Sequence, residues 1–136
     1  MTGFVLHLQD ATHHQRIDGV RSFVGEDASG SFGILPGHER MMTALVFGLA
    51  RFRTGTGPWQ YLALPGGLLY FFEDQLCIST RRYLVDADYD RITASLEEQL
   101  LTEEESLREI KQRLHNMEEQ MLKRLWEMSR SREAAP

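Results

Sequence analysis

Tyr83-Leu-Val-Asp-Ala-Asp-Tyr-Asp90 is where this 136-residue chain changes its grammar. All eleven glycines and three of the four prolines lie on its N-terminal side. From residue 87 onward there is no glycine, and the one proline is Pro136. Gly and Pro punctuate short strands and turns, and a run of some 50 residues without them suits uninterrupted helix. The stretch therefore predicts an α+β chain: an N-terminal all-β sandwich of short strands over 1–86, then a helical domain over 87–136. The second part is expected as a helical hairpin or an extended helical tail.

Reading back from the boundary, short apolar runs alternate with turn residues. Leu76–Ser79 and Leu68–Phe72 flank Glu73-Asp74, and Trp59–Leu64 precedes Pro65-Gly66-Gly67. Leu68-Leu-Tyr-Phe-Phe72 is apolar on both faces, which predicts a central strand rather than an edge. Leu45–Arg53 reads as one strand with Leu45, Phe47, Leu49 and Arg51 on one side. Phe32–Leu35 stops at Pro36-Gly37, Val20–Val24 alternates, and Phe4, Leu6 and Leu8 share a face. Many short strands with Gly/Pro turns favour a sandwich or small barrel.

Reading forward, Asp88 is placed to cap a first helix over about 88–101, with Ile92, Leu96 and Leu100 as its stripe. Thr102-Glu-Glu-Glu105 has capping-box spacing and predicts a fresh start for a second helix, about 103–130, with 131–136 as a frayed end. Leu107, Ile110, Leu114, Met117 and Met121 recur at 3-4-3-4 spacing, followed by Leu125 and Met128 after a four-residue stutter. Such a helix spans roughly 40 Å and is too narrowly striped to be buried in so small a domain. Its seam calls for a partner helix, in this chain or another. Glu104/Arg108, Glu109/Arg113 and Glu119/Lys123 are helix-supporting pairs, each worth about 0.2–0.5 kcal/mol.

Composition narrows the function classes. A chain 42% hydrophobic and 26% charged, with mean hydropathy −0.36, reads as a soluble globular protein. Net charge of −5 and a pI near 5.5 leave no basic footprint for nucleic acid. No run approaches the roughly 20 apolar residues that cross a bilayer, and Met1-Thr-Gly-Phe4 does not open like a secretion or transit signal. Membrane association is thus expected only through a partner. The single cysteine, Cys77, rules out an intrachain disulfide and suits a reducing compartment.

The chemistry-bearing residues do not converge. Adjacent His13 and His14 would point to opposite faces of a strand, and neither they nor His38 sit at metal-ligand spacing with Cys77. No metal site and no cofactor are expected. Cys77 reads as a small core residue in an alternating strand. Gly25–Gly37 lacks the lysine of a phosphate loop and the strand–loop–helix context of a dinucleotide site, so it reads as tight turns. No nucleophile–base constellation is present, and no catalytic residue is predicted.

Gly30-Ser-Phe-Gly-Ile-Leu-Pro-Gly-His38, followed by Met41-Met-Thr-Ala-Leu-Val-Phe-Gly48, resembles the N-terminal signature of the epsilon subunits of F-type ATP synthases. Leu64-Pro-Gly-Gly-Leu-Leu69 and Leu76-Cys-Ile-Ser-Thr-Arg-Arg82 fall in the family's order. Ser79-Thr-Arg81 and the unbroken second helix resemble its alternate, often sodium-associated, branch. The resemblance implies a non-catalytic stalk subunit on the cytoplasmic side of the bacterial inner membrane, peripheral to it within the complex. Its partners would be the gamma subunit, the ring of c subunits and the alpha and beta subunits of the catalytic head. It would couple rotation between ring and head, for protons or sodium, and restrain ATP hydrolysis through its tail. Ser31, Phe32, His38, Glu39 and Arg40 match the segment facing the ring and gamma. Arg108, Lys111, Arg113, Lys123 and Arg124 match the tail residues that meet the catalytic head.

One departure concerns nucleotide. Some members bind ATP through an Ile/Leu-Asp-x-x-Arg-Ala motif, and here the matching stretch is Tyr89-Asp-Arg-Ile-Thr-Ala94, with Thr93 at the arginine position. A hydroxyl cannot supply the charge-assisted contact of a guanidinium, so no nucleotide binding of that kind is expected. Apart from the resemblance, the residues also suit a free-standing adaptor, its sandwich and its coiled-coil tail each binding a partner.

Overall fold

A computed structural model describes residues 3–134, with side chains described for 3–130. The fold is α+β, a sandwich-like sheet followed by helix. Strands β1 (Phe4–Gln9), β2 (His14–Asp27), β3 (Gly30–Ile34), β4 (Met41–Leu45), β5 (Gly48–Thr54), β6 (Gln60–Leu64), β7 (Gly67–Phe72), β8 (Gln75–Thr80) and β9 (Leu84–Asp86) precede helix α1 (Tyr89–Ser95). A π-helical segment (Leu96–Leu101) and helix α2 (Thr102–Ala134) follow. Met1–Leu101 and Thr102–Pro136 are two compact units.

The strands run in the order β1-β8-β7-β4-β2-β5-β6-β9, with β3 paired to the far end of β2. The first part of the 14-residue β2 pairs back onto β1, so this one strand serves both layers and closes the sheet on itself. Among the described residues only β1 and β8 are paired in parallel; the other pairings are antiparallel. Alternation aims one face of each strand inward. Phe4, Leu6 and Leu8 enter from β1, Val20 and Phe23 from β2, Phe52 from β5, Leu69 and Phe71 from β7, and Leu76 and Ile78 from β8. Phe4 and Phe71 meet edge to face at 5.6 Å.

The predicted strand over Leu45–Arg53 is in fact two. β4 pairs with β7 in one layer and β5 pairs with β2 and β6 in the other, so the chain changes layers at Val46-Phe47. The inward parity resets there. Leu45, Ala50 and Phe52 face the core, while Leu49 and Arg51 face outward. Cys77 is likewise corrected: Leu76 and Ile78 point inward, which turns Cys77 to the half-exposed outer face. β7 is central, between β4 and β8, as its two-sided apolarity predicts.

Asp88 caps α1 as expected, its Oδ1 accepting the Arg91 N–H at 3.1 Å. Ile92 and Leu100 then bury themselves over Ala63, on the outer face of β6. β6 is thus covered on both sides, with Leu62 and Leu64 inside and Ala63 beneath the helix. The capping-box start at Thr102 is not used in this conformation. Leu101 is already π-helical and Thr102 helical, so no extended residue precedes α2 as an N-cap requires. α2 is one helix of 33 residues, about 50 Å long. It is longer than the predicted 103–130, its backbone continuing through Ala134, and the last two residues of the chain lie outside those described.

Candidate interaction surfaces

Among the described residues no group of three or more His, Cys, Asp or Glu side chains could hold a metal ion.

Ser31 and Phe32 lie on β3, in the β2–β3 hairpin, paired with Glu26 and Gly25. Asp27 organises this tip: its Oδ1 accepts the Ser29 N–H at 2.9 Å and the Ser29 hydroxyl, and its Oδ2 accepts the Thr43 hydroxyl at 2.7 Å. The Ser29 and Thr43 hydroxyls hold the Asp27 carboxyl below the usual carboxylate range. Ser31 is exposed, but Phe32 packs against the core. A Cβ on Gly25 would stand 3.1 Å from the Phe32 ring and 2.9 Å from that of Phe23, so glycine here makes room for both rings. Phe32 shapes this end from within, and Ser31 is the residue it presents.

His38, Glu39 and Arg40 lie at a corner built differently. The His38 N–H donates to the Leu35 carbonyl at 3.1 Å, closing a turn through Pro36 and Gly37, whose φ of 82° favours glycine. The Gly37 N–H donates to Asp74 Oδ1 at 2.7 Å, tying the corner to the two-residue β7–β8 turn. Glu73 and Asp74 adopt φ of 49° and 57° there, as a primed hairpin turn requires. The three predicted side chains are exposed. The His38 ring meets Phe71 edge-on at 5.7 Å, and the Arg40 guanidinium lies 4.2 Å from the centre of the Phe72 ring.

The structure does not bring these two groups together. Asp27 and Leu45 pair at one end of the sandwich, beside Gly67, whereas the corner sits by Phe71 and Phe72. The six residues of β7 separate them, roughly 17 Å. What joins the ends is a strip that sequence reading missed. On the outer face of β4 and β7, Met42 is 70% exposed and Leu68 61% exposed, with Tyr70 half-buried between the ends and Leu35 exposed by the corner. Its one signal was the apolar character of Leu68–Phe72 on both faces: a central strand needs such a face only if something covers it.

On the opposite outer face, the Tyr89–Ala94 stretch is committed internally. Arg91 grips Asp86 with Nε on Oδ2 and Nη2 on Oδ1, the latter at 2.7 Å, and the Thr93 hydroxyl donates to the Tyr89 carbonyl at 2.8 Å. The Arg91 guanidinium lowers the Asp86 carboxyl to about 2. Tyr89 packs against Tyr61 at 5.3 Å. Beside them an open groove is lined by Val24, Leu49, Arg51, Tyr61 and Tyr89.

In α2, Arg108, Lys111, Arg113, Lys123 and Arg124 are all exposed. At about 100° per residue they do not share a face. Arg113 and Arg124 flank the apolar seam on one side and Lys111 on the other, while Arg108 and Lys123 lie opposite it. The seam from Ile110 to Met128 is 49–62% exposed at Ile110, Leu114, Met117, Met121, Leu125 and Met128. Leu122 and Trp126 form a second apolar patch across the helix, with Arg130 4.8 Å from the Trp126 ring centre. Glu119 pairs with His115 at 3.0 Å, one turn earlier.

Comparison with known proteins agrees with the fold. The family described as the ATP synthase delta/epsilon chain beta-sandwich domain matches residues 6–85, more than half of the chain. The chain therefore belongs to the ATP synthase delta/epsilon family. It is 39% identical over 83 residues to ATP synthase epsilon chain 2 of Cereibacter sphaeroides, covering 60% of this chain and 57% of that one. It is 31% identical over 80 residues to the ATP synthase epsilon chain of Prochlorococcus marinus, covering 59% of each. The match thus spans less than two thirds of the length of these relatives. A chain in the Euglena gracilis mitochondrial ATP synthase, solved with OSCP, F1 and the c-ring, shares the fold at a TM-score of 0.59 and 19% identity. That likeness covers 72% of this chain and 64% of the other. No helix among the described residues is long and apolar enough to cross a membrane.

Proposed function

We propose that this chain is the epsilon subunit of the central stalk of an F-type ATP synthase, a non-catalytic coupling element between the c ring and the catalytic head. The observation that carries the proposal is the bare apolar strip on β4 and β7, in a chain whose sandwich belongs to this family. A rigid, closed sheet with one uncovered apolar face suits a part that transmits torque through a fixed seat. The gamma subunit would take the strip. The β2–β3 tip with Ser31 and the corner with His38, Glu39 and Arg40 would meet gamma and the ring at separate points. The assembly would lie on the cytoplasmic side of a bacterial inner membrane. The tail, through its exposed seam and its basic residues, would meet the alpha and beta subunits of the head and restrain hydrolysis. Commitment of Arg91 to Asp86 and of Thr93 to its own helix supports a tail that is not an ATP sensor.

The test is co-purification of the tagged chain with ATP synthase subunits, followed by ATPase assay with and without residues 102–136. Recovery of gamma and c subunits, with hydrolysis rising on truncation, is the predicted result. A chain that recovers neither gamma nor c subunits contradicts the assignment.

A further inference from the structure

Between Met41 and Phe72, across β4, β5, β6 and β7, the chain carries two charged residues, Arg51 and Arg53. Both stand exposed on the outer face of β5, where the residues between and before them, Phe52 and Ala50, face the core. Alternate residues of a strand share a face at a spacing of about 6.8 Å. The Trp59 indole, just before β6, meets both: the guanidinium carbons lie 4.6 and 5.0 Å from its ring centre. A guanidinium stacked on a ring is held in one orientation and keeps its N–H edge free to donate. Neither arginine has an ion pair among the described residues. Arg53 pairs across β2 with Ser22 and Arg51 with Val24, and on β6 Arg51 pairs with Tyr61, so no register neighbour is a carboxylate. Like charges held side by side repel, and an anion over them removes that cost. Next along the same face, Leu49 leads into the open groove lined by Val24, Arg51, Tyr61 and Tyr89, about 220 Å³ in volume. That is below the ~300 Å³ at which ligand pockets begin, and it suits one apolar side chain. Glu26 on its rim disfavours an anion there.

We propose that the outer face of β5 is a docking surface for an extended acidic segment of a partner protein. Carboxylates at alternate positions of the segment would lie over Arg53 and Arg51, and an apolar side chain two residues further on would enter the groove. Charge complementarity selects this occupant. Both cations lack an ion pair among the described residues, the four successive strands carry no carboxylate, and Glu26 stands where the segment turns apolar. The spacing agrees, because an extended chain repeats its side chains on one face at the same interval as β5. Each carboxylate can take two parallel N–H bonds from a guanidinium whose plane is already fixed. A membrane surface fits less well, since polybasic lipid recognition takes clusters of about four or more Lys and Arg, and β5 presents a single pair. This surface lies on the opposite outer face from the β4 and β7 strip and is independent of the stalk assignment.

The test is an NMR titration of the full isotope-labelled chain with a synthetic peptide in which glutamate, glutamate and phenylalanine alternate with glycine. Saturable shifts are expected at the Trp59 indole N–H and at the Leu49 and Tyr61 amides, and the affinity should fall at least about threefold as salt rises from about 50 to about 200 mM. A peptide of the same composition with its two glutamates adjacent should bind at least about threefold more weakly, and one with lysine in place of glutamate at least about tenfold. Arg51→Gln with Arg53→Gln should lower the affinity at least about tenfold and leave the thermal unfolding midpoint unchanged. Trp59→Leu should lower it about threefold, because the guanidiniums lose their fixed orientation. Equal binding of the three peptides overturns the proposal, as does the absence of shifts or their confinement to the face of Met42 and Leu68. Binding of phosphatidylserine vesicles through the same two arginines, with none of the peptide, would give the patch to a membrane surface and overturn it as well. The arginine pair decides the matter even if Trp59→Leu does not fold.

Discussion

The two outer faces of the sandwich are built from similar strands and end differently. On β6 and β9 the chain covers its own apolar surface: Ala63 is fully buried beneath Ile92 and Leu100. On β4 and β7 it leaves Met42 and Leu68 mostly exposed. Burying a side chain such as leucine contributes about 1.5–3 kcal/mol, so the first face is part of what holds the fold and the second is not. The difference separates two uses of an apolar strand. One face stabilises the free chain, and the other, left bare, adds nothing to it; under the proposed stalk role that face would be taken by a partner.

The same substitution on each face should expose the contrast most strongly. Leu100→Ala is expected to lower the stability of the sandwich by about 2–5 kcal/mol, through lost burial and the cavity left behind. Leu68→Ala is expected to change it by less than about 0.5 kcal/mol. Thermal unfolding of the free chain followed by circular dichroism makes the comparison, and equal effects at the two sites would remove it.

Acid should weaken the covered face through the Asp86–Arg91 pair. The Asp86 carboxyl sits at about 2 in the folded chain, below its ordinary 3.8, chiefly through its hydrogen bonds from Arg91 and then from the Asp88 N–H. A depressed carboxyl contributes stability that is present above pH ~4 and is lost as pH falls toward 2. Asp10 and Asp27 are lowered too, so wild type alone does not isolate that pair. The gap in thermal midpoint between wild type and Asp86→Asn should be open at pH 6 and close near pH 2. A gap that stays constant would place the effect of Asp86 elsewhere.

Smaller effects belong to the exposed residues. Replacing His38 and Arg40 together removes two ring contacts at a solvent-facing corner and should leave the fold intact to within about 1 kcal/mol, while weakening assembly measured by co-purification. In the tail, Lys123→Glu with Arg124→Glu should reproduce part of the rise in hydrolysis caused by truncation after Leu101. Exposed ion pairs are worth about 0–1 kcal/mol each and fade with salt, so the rise should shrink at high ionic strength. Unchanged hydrolysis at low and high salt would leave these two residues with no role at the head.

How far the sequence could be read follows from how local each signal is. Alternation in Phe4–Leu8, the capping Asp88 and the central position of Leu68–Phe72 were legible because each rests on neighbouring residues. The reset of parity at Val46-Phe47 was not, since nothing in those residues says that β4 and β5 belong to different layers. The reversal of Cys77 shows the same weakness, because an alternating strand leaves open which of its two sets points inward. At the candidate surfaces, the predicted residues are exposed except for Phe32. Their separation across the length of β7 depends on strand pairing, which one sequence does not display. The Thr102 capping box was legible as a pattern, yet local spacing cannot say whether a cap is in use.

The central claim is that the bare face of β4 and β7 is the seat of a partner in the synthase. Its most direct measurement is co-purification of the tagged full chain carrying Met42→Glu and Leu68→Glu, compared with wild type at matched expression and with thermal unfolding as a control. The account predicts an unfolding midpoint close to wild type and recovery of gamma and c subunits reduced by at least about tenfold, as two charges forced against an apolar seat would cause. Undiminished recovery of both by a folded variant would contradict it.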